Sequence, residues 1–174
     1  MKRINKVGMI ASTLVMIIMS SASIAKESLI IEKEKKDRIL RLTEIRCLTE
    51  NVYHESRSES VLGKIAVAWV TINRVNSDQY PDTVCDVVRD AEINSNGNPK
   101  LHQCQFSWYC DGKSDEIVDM AAWYESWKTA YDVFYNKKVD PTYGATMFHA
   151  SYVKPDWQKH FEKTVRIDDH VFYK

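Results

Sequence analysis

The sequence predicts a helix-dominated α+β domain with a small antiparallel sheet at its C-terminal end. Three observations predict it. Apolar residues recur at helical spacing through most of the chain, the run Ile65–Ile72 is apolar nearly all round, and the residues beyond Pro141 fall into short branched and aromatic segments separated by turns. With 174 residues, 44% of them hydrophobic and 11% aromatic, the chain is sized for one compact core and carries no repeat, collagenous or low-complexity signature.

The first 25 residues read as an export signal. Lys2, Arg3 and Lys6 give a basic start, the apolar stretch from Val7 to Met19 follows, and Ser23 and Ala25 put small residues where a signal peptidase reads, so cleavage is expected after Ala25. A retained membrane anchor fits less well, because the apolar run falls short of the roughly 20 residues a spanning helix needs and contains Gly8, Ser12 and Thr13. No stable membrane insertion is expected after cleavage. The 24 basic and 24 acidic residues balance; the leader takes three basic ones and no acidic one, which leaves the mature chain at a net charge of −3. Such a chain, with no basic stripe interleaved by aromatics, has no electrostatic reason to bind nucleic acid.

Residues 26–42 read as a charged helical or linker segment with a solvated face, and 43–174 as the main domain. Thr43 can cap a helix on which Ile45, Leu48, Val52 and Glu55 share one face. Ser60 can cap the next, which runs through the apolar stretch and reads as the central helix. Residues 76–82, with Pro81, read as a loop, after which Asp82 or Thr83 caps a short helix through Val84, Val87 and Val88. The Asn- and Gly-rich stretch from Glu92 to Lys100 has turn chemistry and no hydrophobic period, so a surface loop is expected. A long helix is expected from Ser114, its acidic first turn complementing the helix dipole and its stripe carrying Ala121, Tyr124, Trp127, Lys128, Tyr131 and Tyr135. The segments 145–149, 164–167 and 170–173 make the small sheet.

All four cysteines, Cys47, Cys85, Cys104 and Cys110, lie in the mature part, which fits disulfides in an exported chain. The pair Cys104 and Cys110 is favoured, closing a loop around Gln105 to Tyr109. The rival zinc site lacks the two CxxC knuckles, and Cys47, on an apolar stripe, could instead be a buried free thiol.

The chemistry concentrates in the nine residues from Asn51 to Glu59, which place Glu55 and Glu59 one helical turn apart beside the apolar helix. His54-Glu55 suggests a zinc-protease helix, but position 58 is Ser58 rather than the second histidine that site needs. His149, His160 and His170 could form a metal cluster or line a cleft, yet scattered histidines in a small sheet more often serve as hydrogen-bonded structural groups. No metal and no cofactor is called for.

The stretches Cys47–Glu59, Gly63–Val75, Tyr80–Val88, Cys104–Gly112, Gly144–Ala150, Pro155–Trp157 and His170–Tyr173 together resemble the spore-cortex-lytic type of cell wall hydrolase, in order and over nearly all of the mature domain. The resemblance implies a lysozyme-like catalytic domain over 43–174 that cuts the β-1,4 bond between N-acetylmuramic acid and N-acetylglucosamine in peptidoglycan. It assigns the acid to Glu55, the first glutamate of a pattern present here as Tyr53, Glu55, Arg57 and Glu59. Two departures are visible: Ser56 and Ser58 replace small residues of the pattern, and Asp169 replaces a glycine, which calls for a left-handed or capped turn at Asp168-Asp169.

A glycosidic oxygen leaves poorly until it is protonated, so an acid with a raised pKa at the inner end of an apolar face suits the task. Glu59 is too near in sequence to face Glu55 across a sugar ring. Its expected role is in substrate binding, with a partnership to Arg57 or the next helix as the plainer reading. No second acid stands out as a nucleophile, although Asp111 follows the cysteine loop; one acid favours lytic transglycosylation, with plain hydrolysis left open if Gln105 or Ser107 positions a water. Gln105, Ser107, Tyr109 and His149 are candidate substrate-binding residues, and Trp108 a candidate platform for a pyranose face. The expected product is an exported enzyme, in the periplasm or cell wall, acting on peptidoglycan as a monomer. A catalytically silent wall-binding domain on the same scaffold is the alternative, and the presence of Glu55 favours the enzyme.

Overall fold

The computed structural model describes the backbone of residues 6–174 and the side chains of residues 23–174. Residues 1–22 of the expected signal segment, with Lys2, Arg3 and the apolar stretch, lie outside the residues whose side chains are described. Among the described residues no helix is long and apolar enough to cross a membrane. The chain divides into two compact units, Met1–Arg41 and Leu42–Lys174.

Helix α1 runs over Lys6–Ser56, so Thr43 lies inside it instead of capping a new helix. The reason is local: residues 26–42 contain no Gly or Pro and are rich in Glu, Lys, Arg and Leu, all good helix formers. Of the side chains from Ser23 to Arg41, only Asp37 is even partly buried.

In the second unit the last turns of α1 bury Ile45, Cys47, Leu48 and Val52, the stripe the spacing predicts. Helix α2, Val61–Val75, starts where Ser60 Oγ accepts the Gly63 N–H at 3.2 Å. It is the central element. Ile65 and Ala68 pack with Leu48 and Val52 of α1, the short helix α3 (Val84–Val88), Phe106, and Ala130 and Val133 of α4 (Met120–Phe134). Ala66 and Val70 pack in a second cluster with Ala145, Ile167 and Phe172. The largely apolar surface of one helix is thus divided between a helical layer and a sheet, each buried branched side chain contributing about 1.5–3 kcal/mol.

Thr83 caps α3, and Glu44 Oε2 on α1 accepts the Val84 and Cys85 N–H groups at 2.6 and 3.2 Å. The Cys47–Cys85 disulfide joins the same two helices, which replaces the free-thiol reading of Cys47; Cys104–Cys110 forms as expected. The stretch read as a surface loop is a hairpin, β1 (Ala91–Ile93) against β2 (Pro99–Cys104), turned at Gly97 with φ +81°. Its residues are mostly exposed, so no alternation of polarity announced it. Helix α4 begins at Met120 rather than Ser114, because Asp119 Oδ1 accepts the Ala121 and Ala122 N–H groups, both at 3.0 Å, while its own N–H donates to the Tyr53 hydroxyl.

The C-terminal sheet has the order β3-β5-β4, all antiparallel, with β3 at Met147–Ala150, β4 at Lys163–Ile167 and β5 at His170–Tyr173. All four residues of the central strand β5 are buried. The turn between β4 and β5 takes the left-handed form expected at Asp168-Asp169, with Asp168 at φ +48°. Asp168 Oδ2 accepts both the N–H and the hydroxyl of Ser60, at 3.0 and 2.6 Å, so the turn is tied to the start of α2.

Candidate active site

Glu55 stands in the last turn of α1, where the apolar stripe meets a cleft of about 640 Å³. The helix stops at Ser56, the Arg57 N–H reaching back to the Tyr53 carbonyl at 3.2 Å, and the chain turns directly into α2. Burial pushes the Glu55 carboxyl up from 4.5 to about 7, against the opposing pull of Arg74. It is therefore an acid that holds its proton to near neutrality and can also give it up there.

Gln105, Ser107, Trp108 and His149 line the same cleft, as do His54, Arg57, Arg74, Asp111, Asp115, Tyr152 and His170. The loop carrying Gln105 to Trp108 is closed by Cys104–Cys110 and hung on the Asp90 carbonyl by the Gln105 N–H at 2.9 Å. Trp108 is fixed through its indole N–H, which donates to Asn51 Oδ1 at 2.9 Å, while Asn51 Nδ2 donates to Thr71 Oγ1 at 3.0 Å. One face of Trp108 is stacked on His54, ring centres 4.4 Å apart at 18°, which leaves at most its other face for a sugar. Desolvation lowers the His54 pKa, so this stack is between neutral rings at neutral pH.

His149 Nδ1 lies 2.9 Å from the Ala150 carbonyl, which can only accept, so Nδ1 donates and Nε2 faces the Tyr173 hydroxyl at 3.1 Å. His170 is 8% exposed and its pKa is lowered by burial. His160 is not among the cleft residues, and among the described residues no group of three His, Cys, Asp or Glu is placed to hold a metal ion.

Tyr109 and Glu59 are not among the lining residues. Tyr109 meets Trp108 edge-on at 5.9 Å. Glu59 Oε2 accepts the Asp169 N–H at 3.3 Å, which ties the β4–β5 turn to the connection between α1 and α2. Gly63 lets these parts approach: a Cβ there would collide with Asp168 Oδ2 and lie 2.8 Å from Glu59 Cβ. Asp111 is an ionised carboxylate, its pKa lowered chiefly by the Lys113 N–H, which donates to Oδ1 at 2.9 Å; Lys113 Nζ is 3.3 Å from Oδ2.

The residue that sequence reasoning missed is Arg74. It is 3% exposed and stands in the cleft lining, with its guanidinium 4.7 Å from the Phe106 ring centre and 5.2 Å from that of Tyr80. The signal was present: an arginine closing an otherwise apolar helix is a buried charge, and buried charges need a reason.

Comparison with known proteins places this geometry. A model of the Cell Wall Hydrolase family matches residues 58–173, beginning three residues after Glu55. Spore cortex-lytic enzymes are similar over 45 residues, 47% identical in Bacillus cereus and 42% in Bacillus subtilis, or 26% of this chain against 17% and 15% of theirs. The match thus spans less than a fifth of the length of these curated relatives. The catalytic domain of the Bacillus cereus SleB protein is similar in structure with a TM-score of 0.56 and 26% identity, over 75% of this chain and 89% of that one. For the catalytic domain of the germination-specific lytic transglycosylase SleB from Bacillus anthracis the values are 0.57, 27%, 75% and 93%.

Proposed function

Because the chain belongs to the cell wall hydrolase family, we propose that it cleaves peptidoglycan glycan strands at the β-1,4 bond between N-acetylmuramic acid and N-acetylglucosamine, with Glu55 as a single acid and base. The observation that carries the reading is a half-buried carboxyl at the cleft with its pKa raised by desolvation to about 7. Glu55 gives its proton to the glycosidic oxygen as that bond to the anomeric carbon breaks, the electron pair leaving with the oxygen. The muramyl 6-hydroxyl then attacks the same carbon and its proton returns to Glu55, which leaves a 1,6-anhydro end.

We favour transglycosylation; a two-carboxylate route would have to draw its second carboxylate from Asp111 or Asp115, the other acids lining the cleft. Both oxygens of Asp111 already face Lys113. The likeness to a catalytic domain described as that of a lytic transglycosylase supports the same outcome. Gln105, Ser107 and His149 are the polar groups placed to meet sugar amides and hydroxyls, and the His54–Trp108 stack offers a flat wall. The reading entails export, since peptidoglycan lies outside the cytoplasmic membrane, and the two disulfides suit an oxidising compartment.

The test is digestion of purified peptidoglycan by wild type and Glu55→Gln, followed by mass spectrometry of the products. Anhydro ends in the wild-type digest and their loss in the variant are expected. Reducing ends instead would replace transglycosylation by hydrolysis, and equal activity in the variant would overturn the role of Glu55.

A further inference from the structure

Arg74 is a buried charge on the central helix, held over the rings of Phe106 and Tyr80 but not fully hydrogen-bonded. Its Nε–H donates to the Thr146 carbonyl at 2.7 Å and Nη2 lies 4.0 Å from Met147 Sδ, while Nη1 is buried with no partner. A buried donor left unpaired is costly, and more so on a cation. The groups that act on Arg74 electrostatically are Tyr80, Glu55 and Asp90, and Arg74 is the charge that acts on Glu55. Both side chains line the cleft.

We propose that Arg74 is a positioning residue for the reaction: its unpaired Nη1–H receives the carboxylate that Glu55 becomes when its proton passes to the glycosidic oxygen. The inference rests on the reading of Glu55 as the acid. While Glu55 holds its proton, the guanidinium is left with an empty donor. When the Glu55 O–H bond breaks and the proton bonds to the leaving oxygen, a negative charge forms in the same cleft as a cation that is already desolvated. When the attacking 6-hydroxyl returns its proton, the charge and the pairing vanish together. The interaction is thus strongest in the charged interval, which is where stabilisation accelerates a reaction. The other charged or titratable groups of the cleft are His54, Arg57, Asp111, Lys113, Asp115, His149, Tyr152 and His170. Asp111 is held by Lys113, and burial keeps His54 and His170 on the neutral side.

Two measurements test this. Side-chain nitrogen NMR of Arg74, followed against pH in the intact protein, is expected to shift with the titration of Glu55 near neutrality and to stay flat in Glu55→Gln. A flat wild-type trace through the Glu55 titration overturns the proposal. This readout needs no turnover, so it separates failure of the proposal from failure of the peptidoglycan reading. The second is the pH–rate profile on purified peptidoglycan. Arg74→Gln is expected to move the alkaline limb of kcat/KM up by about one pH unit and to lower its plateau about tenfold or more. Arg74→Lys keeps the charge, so its limb stays near the wild-type position and part of the rate returns. Lower activity in both folded variants with an unmoved limb would make Arg74 merely structural and refute its coupling to Glu55.

Discussion

Glu55 stabilises the fold less as pH rises, and the size of the effect follows from its burial. The native carboxyl keeps its proton to about pH 7, while an exposed one in the unfolded chain loses it near 4.5. Between those values the native state binds more protons than the unfolded state, so stability is fully present below 4.5 and is lost as pH rises through 7. At about 1.4 kcal/mol per pH unit the gap is worth about 3 kcal/mol, or roughly 10 °C in Tm for a domain of this size. Glu55→Gln keeps the shape and cannot ionise, so it isolates this contribution. Other titrating groups, among them His54 and His170 with lowered pKa values, are common to both proteins and cancel in the comparison. Urea unfolding of wild type and variant, with disulfides intact, is expected to give similar free energies near pH 4 and a variant about 3 kcal/mol more stable near pH 8. A difference that stays flat from pH 4 to 8 would refute the argument that the carboxyl is buried neutral.

Two further outcomes follow from packing and cross-linking. Gly63→Ala forces a Cβ against Asp168 Oδ2 and Glu59 Cβ, and is expected to cost about 1–3 kcal/mol in urea unfolding, with lower activity as the α1–α2 connection moves. A stability within 0.5 kcal/mol of wild type, roughly the scatter of neutral surface changes, would show that the β4–β5 turn yields freely there. Replacing both Cys47 and Cys85 by Ser opens a cross-link of sequence separation 38 and is expected to cost about 4 kcal/mol by loop entropy, against about 2 kcal/mol for Cys104 with Cys110, whose separation is 6. Thermal unfolding of the two double variants checks the order, and a larger loss from the short loop would contradict it.

The parts of this fold legible in the sequence are those whose cause is local. Ser60 and Thr83 each cap with their own side chain, and the stripe Ile45, Leu48, Val52 needs only helical spacing to be seen. The hairpin of β1 and β2 was not legible, because strands whose side chains mostly face water need not alternate. The start of α4 moved from Ser114 to Asp119, where a distant group, the Tyr53 hydroxyl, holds the backbone at the cap. Cys47–Cys85 depends on how α1 meets α3, which spacing does not encode. At the site, Glu55 was legible as a polar residue continuing an apolar stripe. The Trp108–Asn51–Thr71 chain of hydrogen bonds was not, since it joins three separate elements across residues that each read as ordinary.

Two cleft residues break local rules of burial, and the two breaks explain each other. A glutamate at the inner end of an apolar helical face and an arginine on an apolar central helix are each unfavourable taken singly. Placed in one cleft, the first supplies a proton that must leave and return, and the second supplies the charge that can meet what is left behind. The surrounding structure is correspondingly stiff: α1 is cross-linked to α3, the turn at Asp168 is tied to the cap of α2, and Trp108 is hydrogen-bonded to the core. Two desolvated groups of opposite tendency persist in a small domain only when the elements carrying them cannot relax apart, and that is the condition under which an acid is held ready without its conjugate base being solvated by water.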